Sequence, residues 1–149
     1  MAKKNMLMLV HVENYFRDCF PNELYVARLI KAVRAKKYDK VVHITSNYHD
    51  YEPICELQGK FHKEIEWSWG YTPDYFKDEP EELKWVIHSN GGYGYTWIPL
   101  EFRNGFFDNT IVYLGGGCDG KCLEDMETIL KHLHVTYKRM EGYIYSDVD

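Results

Sequence analysis

The chain has 149 residues, a formal net charge of −5 and a hydrophobic fraction of 45%, which argue against disorder and predict one domain over residues 1–149. The acidic balance argues against a general nucleic-acid binder, because such proteins usually carry a basic face. No apolar run approaches the roughly 20 residues of a membrane-spanning helix and no signal peptide is recognisable, which predicts a cytoplasmic protein without membrane contact.

The amino-terminal third of the chain predicts a β-α-β unit. Residues 5–12 form a continuous apolar run, typical of a buried strand, that is interrupted by His11 near its end. An amphipathic helix is predicted from about residue 24 to 37, with basic residues in its last turns, where the helix dipole favours them. Residues 40–46 are predicted to form a second strand, parallel to the first and reached by a right-handed crossover.

The middle of the chain is dominated by connections. Residues 47–80 are rich in proline and aromatic side chains and predict a long loop, which in a compact domain is usually functional. The elements predicted after this loop are, in chain order, a short helix at 81–83, a strand at 84–88, a glycine and aromatic loop at 90–95, and an amphipathic segment at 97–103.

The strongest local pattern lies in residues 109–133. A β-branched strand at 110–114 is followed by three glycines, Gly115, Gly116 and Gly117, and then by a helix to Leu133. In open α/β sheets such a strand-to-helix junction is where ligands bind. With a last parallel strand at 134–140 and an edge pairing at 143–145, the alternation predicts a doubly wound, three-layer α/β domain with a mainly parallel sheet.

Cys122 stands in the first turn of that helix. The helix dipole and the neighbouring Lys121 favour the thiolate form there. A nucleophilic thiol also needs a base within reach. His11 and Glu13 follow the first strand, which in a doubly wound sheet commonly lies beside the strand that feeds the glycine loop, so both are predicted to face Cys122. In the alternative interpretation Cys122 is a small residue at a helix start, and His11 is a half-buried histidine with a structural role.

The glycine loop also matches another pattern. Gly115, Gly120 and Lys121 have the spacing of a phosphate-binding P-loop, although Cys122 stands where a hydroxyl would bind magnesium. An active nucleoside triphosphatase also needs an acidic strand later in the chain to hold its metal. The pattern therefore favours binding of some anion by the loop amides over nucleotide hydrolysis.

Histidines suggest a further alternative. His43 and His134 each begin a His-x-Thr sequence, and two such sequences can supply the base and the acid of a two-histidine phosphoesterase. The competing interpretation treats both as strand residues without a catalytic role. His49, Asp50 and His62 have no fixed metal-ligand spacing, so neither a metal site nor a cofactor is predicted.

Three segments resemble, in the same order, the isochorismatase-like cysteine hydrolases. Residues 9–16, Leu-Val-His-Val-Glu-Asn-Tyr-Phe, are similar to the family's opening Val-Ile-Asp-x-Gln-Asn-Asp-Phe. Residues 42–49 resemble its second strand, which ends in Thr-x-Asp-x-His, and residues 114–123 occupy the place of its Gly-x-x-Thr-x-x-Cys-Val nucleophile turn. The resemblance covers most of the chain and implies the isochorismatase-like variant of a Rossmann-like fold, with Cys122 as the nucleophile.

The resemblance implies a catalytic triad of Asp, Lys and Cys, and of these only Cys122 carries over. His11 stands at the Asp position, and the Lys position falls at about His88 or Ser89. Asn47 replaces the Asp of the metal-binding phrase found in the nicotinamidase branch, and the cysteine turn carries one extra residue. These departures put hydrolysis by the family's usual mechanism in doubt.

Two functions therefore remain open. In a variant cysteine hydrolase, Cys122 attacks a carbonyl carbon, His11 or His88 is the base, and the amides of residues 116–121 hold the oxyanion. In a catalytically degraded member, which the loss of two triad residues favours, the same pocket binds a small polar or anionic ligand such as a nucleotide or nicotinamide. The residues predicted to bind it are Gly115, Gly116, Gly117, Cys118, Asp119, Lys121, Glu13, Asn47, Tyr93 and Tyr95.

Aromatic side chains are concentrated in the predicted connections. They are expected to close over a planar ring of the ligand, and surplus surface aromatics suggest a homo-oligomer interface. The aromatic residues singled out are Tyr48, Tyr51, Trp67, Trp69, Tyr93, Tyr95 and Trp97.

Overall fold

A computed structural model describes residues 3–46, 51–67, 86–88 and 95–146, which build a three-layer α/β fold of the Rossmann-like type. Five parallel strands form its central sheet, and two further strands form a separate antiparallel ribbon. The strands are β1 (Lys4–Val10), β2 (Lys40–Thr45), β3 (Lys63–Glu66), β4 (Val86–His88), β5 (Tyr95–Trp97), β6 (Thr110–Gly116) and β7 (Thr136–Ile144), and the helices are α1 (Glu23–Arg34) and α2 (Cys122–His132).

The sheet order is β3-β2-β1-β6-β7, with β1 in the centre. Each neighbouring pair is parallel, and Val10 at the end of β1 lies opposite Ile44 of β2 and Gly116 of β6. Two β-α-β units therefore run outward from the boundary between β1 and β6, in opposite directions. The predicted doubly wound, mainly parallel sheet is confirmed.

Alternate side chains of β1 supply the two cores. Leu7 and Leu9 pack with Leu29 of α1, whereas Met8 packs on the opposite face with Met126 of α2. Both faces of the central strand are thus covered, which explains why its sequence is a continuous apolar run and not an alternating one. No helix within the described ranges has the length and apolar character that crossing a membrane requires.

Element boundaries differ from the predicted ones for local reasons. The β1 strand ends at Val10, two residues early, because His11 adopts a positive φ of 52°. Asn22 caps α1 by accepting a hydrogen bond from the Tyr25 amide at 3.2 Å, and that helix ends at Arg34 and not at 37. The last strand begins at Thr136 because His134 lies in a turn with a φ of 58°. It ends at Ile144, so it includes the first two residues of the predicted edge segment 143–145.

The middle of the chain differs more from the prediction. The predicted loop 47–80 contains strand β3, which pairs with β2 and buries only Ile65 among exposed charged residues, so that no apolar run marked it. Of the predicted strand 84–88, Val86–His88 form β4 of the antiparallel ribbon, and residues 84 and 85 lie outside the described residues. The predicted amphipathic segment 97–103 begins at the end of β5 and continues into a 3-10 turn at Leu100–Phe102. The predicted helix at 81–83 lies outside the described residues.

Gly116 allows the end of β6 to approach the end of β1. Its φ is +94°, and a Cβ atom there would overlap the backbone of Val10. The next residue, Gly117, lies against Tyr145, whose carbonyl oxygen would be 2.7 Å from an added Cβ. Both glycines are therefore required by the packing of the protein itself.

Gly116→Ala is expected to lower the free energy of unfolding by roughly 2–5 kcal/mol, because the strain of a positive φ adds to overpacking against Val10. Gly59→Ala is the matched control, since Gly59 has a φ of +73° but open space around its Cβ position. That control should lose only the roughly 1–2 kcal/mol of backbone strain. Urea unfolding of both variants makes the comparison, and equal losses would contradict a close approach at Gly116.

Candidate functional site

The ends of β1 and β6 form the topological switch point of the sheet. Their last residues, Val10 and Gly116, lie side by side, and the chain then leaves toward opposite faces, where α1 and α2 pack. In open α/β sheets this arrangement produces a crevice at the carboxyl ends of the strands, where ligands bind. The candidate site is therefore the junction between the segment after β1 and the loop after β6.

Tyr145 holds these two segments together. Its buried hydroxyl donates to the carbonyl of His11 at 2.7 Å, and its own carbonyl accepts from the amide of Asp119 at 2.9 Å. The Tyr145 amide also donates to the Gly116 carbonyl at 3.0 Å. One residue after β7 thus fixes the position of both walls of the junction.

Glu13 is a buried carboxyl in this junction. Its Oε1 accepts hydrogen bonds from the amide and the hydroxyl of Ser46, at 3.1 and 2.8 Å. Its Oε2 is buried and has no hydrogen-bond partner within the described part of the chain. Burial raises the pKa of Glu13 from 4.5 to about 7, although the hydrogen bonds from Ser46 oppose that change. Glu13 can therefore exchange a proton near neutral pH.

His11 is buried next to Glu13 but has a different environment. Its Nε2 lies 2.9 Å from the carbonyl oxygen of Trp67, which can only accept, so Nε2 carries the proton. The other nitrogen, Nδ1, is buried without a hydrogen-bond partner among the described residues. Burial lowers the pKa of His11 from 6.5 to about 4, and the ring stacks on Phe16 at 6.0 Å. These features favour the structural interpretation of His11 over the predicted role as a base.

Cys122 begins α2 and is half-buried, and Cys118 is buried in the loop before it. Burial raises the pKa of the Tyr145 phenol well above its ordinary value, and the charges of Tyr25, Cys122, Glu13 and Cys118 add to this effect.

The loop amides are largely engaged within the protein. Gly117 donates to the carbonyl of Val10 at 2.9 Å and Lys121 donates to that of Cys118 at 3.1 Å, while the Asp119 amide bonds Tyr145. These three amides hold the loop in place, so they cannot also hold an oxyanion or a phosphate, as the hydrolase and P-loop interpretations had them do. The loop also contains a cis peptide bond between Gly117 and Cys118.

Three of the residues predicted to bind the ligand have other environments in the structure. Asp119 forms an ion pair with Arg139 of β7 at 3.1 Å, and Lys121 is exposed. Gly115 lies within β6, opposite Leu9 of β1. Asp119 is thus engaged by another side chain of the protein, and Gly115 is part of the sheet.

Other predicted site residues lie elsewhere or cannot be placed. His88 is exposed on β4 of the antiparallel ribbon, paired across from Tyr95 on β5. Trp67 is fully buried and its indole N–H donates to the carbonyl of Trp97 at 2.8 Å, so it belongs to the core and not to a lid over a ligand. Four residues named above as ligand or lid candidates lie outside the described residues, namely Asn47, Tyr48, Trp69 and Tyr93.

The two histidines of the phosphoesterase interpretation are not brought together. His43 lies near the carboxyl end of β2, and both of its nitrogens are engaged, with Glu64 at 2.9 Å and with the Val12 amide at 3.2 Å. His134 precedes the amino end of β7, at the opposite edge of the sheet. Within the described ranges, no cluster of three His, Cys, Asp or Glu side chains is placed to hold a metal ion.

Sequence reasoning missed two residues of the site. Tyr145 was expected only to pair at a sheet edge, and Ser46 only to end a strand. Both act through contacts between residues far apart in the chain, Tyr145 with His11 and Ser46 with Glu13, and such contacts leave no local pattern.

Comparison of the chain with protein-family models, with curated proteins and with solved structures gives no match.

Glu13→Gln is expected to remove a pH-dependent loss of stability. Folded Glu13 keeps its proton up to about pH 7, whereas the unfolded chain loses it near 4.5, so ionising this buried group destabilises the wild type as the pH rises through that window. The difference between the two pKa values corresponds to a destabilisation of about 3 kcal/mol. The glutamine variant does not have this destabilisation, because glutamine does not ionise.

Relative to wild type, Glu13→Gln should therefore gain this amount between pH 4 and pH 8 in urea unfolding. Glu101→Gln, which removes an exposed carboxylate, is the control. A difference between Glu13→Gln and wild type that stays constant over this range would contradict a buried, proton-binding Glu13.

Proposed function

We propose that this protein binds a small polar or anionic ligand at the junction of β1 and β6, as a divergent, catalytically degraded member of the isochorismatase-like superfamily. The order of the three similar segments along the chain supports the family assignment. It is also supported by the position of Cys122, at the first residue of the helix that follows β6. The absence of the family's Asp and Lys supports a degraded active site.

The observation that carries the binding function is the presence, at the switch point, of two buried polar atoms that have no partner among the described residues. His11 Nδ1 and Glu13 Oε2 both lie in the segment that follows β1. A buried polar atom that forms no hydrogen bond destabilises a protein by roughly 1–3 kcal/mol, and such atoms in native proteins usually have a ligand or an ordered water as partner. A bound ligand would satisfy them.

The chemistry of these two atoms restricts the ligand. His11 Nδ1 is an acceptor, because Nε2 carries the proton. Glu13 Oε2 accepts when the carboxyl is ionised and donates when it is protonated. A ligand that offers N–H or O–H groups at this end therefore fits, and any anionic group would lie toward the amino end of α2, where the helix dipole favours it.

A ligand bound at this junction is expected to protect Cys122 from alkylation. Candidates would first be found by thermal stabilisation with a panel of small polar metabolites, nucleotides and planar amides. At about ten times its Kd, such a ligand should raise the free energy of unfolding by about 1.4 kcal/mol and slow iodoacetamide labelling of Cys122 about tenfold.

Exposed Cys55, on the 3-10 turn Cys55–Leu57, is the internal control and should label at an unchanged rate. Labelling is read at each cysteine by peptide mass mapping. A ligand that stabilises the protein but leaves Cys122 labelling unchanged binds elsewhere, and finding only such ligands would refute the proposed site.

An active cysteine hydrolase is the second candidate, favoured by a half-buried thiol at the first residue of α2. In that case Cys122→Ser should lower hydrolysis of small amides, esters or vinyl ethers by at least about 1,000-fold. Cys55→Ser should leave turnover unchanged. Hydrolysis retained by Cys122→Ser would remove this thiol from the mechanism and leave ligand binding as the function.

A further inference from the structure

We propose that His43 positions the binding junction: its imidazole holds the segment of residues 11–13 through the amide of Val12, and protonation of the ring releases that segment. The inference rests on the proposed function, because it describes how pH regulates binding at the same junction. His43 acts in this role through the backbone of Val12, so it is a positioning residue and not a catalytic one.

The two hydrogen bonds of His43 determine its tautomer. The amide of Val12 donates to Nε2 at 3.2 Å, so this nitrogen carries no proton. In the neutral ring, Nδ1 then carries the proton and donates it to the carboxylate of Glu64 at 2.9 Å. The ring is fully buried and stacks on Phe61, with 4.8 Å between the ring centroids. His43 can therefore hold Val12 only while its imidazole is neutral.

The peptide unit between His11 and Val12 is held by two side chains. Its N–H donates to His43, and its carbonyl oxygen, which belongs to His11, accepts from the Tyr145 hydroxyl at 2.7 Å. The preceding amide, that of His11 itself, donates instead to the backbone carbonyl of Ile44 at 2.9 Å. A titratable acceptor is thus found at the amide of Val12, whereas the carbonyl that accepts from the His11 amide does not titrate.

This peptide unit lies between the two side chains that carry the unpaired atoms of the junction. His11 Nδ1 precedes it and Glu13 Oε2 follows it, and both atoms are buried without a partner among the described residues. Because a peptide unit is planar and rigid, moving its N–H away from His43 also moves its carbonyl oxygen relative to Tyr145. Loss of the His43 bond therefore weakens both side-chain anchors of the segment that would contact the ligand.

Protonation reverses the role of His43 Nε2. A protonated imidazole donates from both nitrogens, so its Nε2–H would face the N–H of Val12. Two buried donors that point at each other have no acceptor, and leaving them so is unfavourable. Displacement of the peptide unit relieves this conflict, because it lets the Val12 amide find another acceptor.

The groups that face His43 set the pH of this release. Burial lowers the pKa of His43, and the hydrogen bond and negative charge of Glu64 oppose that change. Glu64 lies opposite His43 on β3, while β1 contributes the apolar Leu9 on the other side. In the segment after β1, His11 has a pKa lowered to about 4, in part by the charge of His43, and Glu13 has a pKa raised to about 7. Release is therefore expected below pH 6.5.

The test is hydrogen exchange at the Val12 amide between pH 5 and pH 8, measured by NMR as a protection factor. In wild type this factor should fall by roughly tenfold as the pH decreases, in step with the ring nitrogen shifts that report protonation of His43. His43→Gln can place a non-titrating oxygen near the position of Nε2, so its protection should stay high at every pH. His43→Asn ends near the position of Nδ1, so its protection should be low at every pH.

His62→Gln is the matched control. His62 is an exposed histidine that accepts from the amide of Val41 at 2.9 Å, at the other end of β2. This variant should follow the wild-type profile at Val12. A wild-type protection factor that stays constant while His43 titrates would overturn the proposal, and this measurement does not depend on any variant folding. Equal protection of Val12 in His43→Asn and wild type would also overturn it.

Glu13 reports whether the junction itself is released. Its carboxyl carbon, followed by NMR, should titrate near pH 7 in wild type and in His43→Gln, and at lower pH, toward 4.5, in His43→Asn, because a released segment is less buried. An unchanged titration of Glu13 in His43→Asn would refute the positioning role. Neither measurement needs a ligand, so failure of the metabolite panel counts against the proposed function alone.

Discussion

The close approach of two backbones, at Val10 and Gly116, is the constraint on which the site depends. Because Gly116 has no Cβ, β6 can end against β1, and the following amide of Gly117 donates back to the Val10 carbonyl at 2.9 Å. The chain then turns into α2 with Cys122 at its first residue. A side chain at Gly116 would overlap the backbone of Val10, so the geometry of the junction depends on a residue that has no side chain.

Burial of His11 and Glu13 gives the junction opposite responses to pH. Between about pH 4 and 6.5 the unfolded chain binds a proton at His11 that the folded protein does not, so this histidine makes stability rise with pH. Between 4.5 and about 7 the folded protein keeps a proton on Glu13 that the unfolded chain loses, so this carboxyl makes stability fall. The two slopes oppose each other where they overlap, and in that range both buried groups are in their neutral forms.

The sequence predicts the layers of the fold better than the roles of the site residues. Apolar runs mark β1, β2 and β6, because both faces of these strands are covered, whereas β3 buries only Ile65 and gave no signal. In an extended strand, residues 11 and 13 would share one face. The positive φ of His11 breaks that alternation, so that its ring bonds Trp67 while Glu13 bonds Ser46. This backbone turn has no signature in the residue types.

The choice between a binding protein and a hydrolase depends on how a missing acidic residue is interpreted. By resemblance, the catalytic carboxylate should stand at position 11, and a histidine there suggests a degraded site. Yet a carboxyl is present two residues later, buried, with one oxygen held by Ser46 and the other without a partner in the described part of the chain. A catalytic group is defined by where its reactive atom lies and by its pKa, and its sequence position matters only through these. The histidine at position 11 therefore does not by itself show that the site has no acidic group.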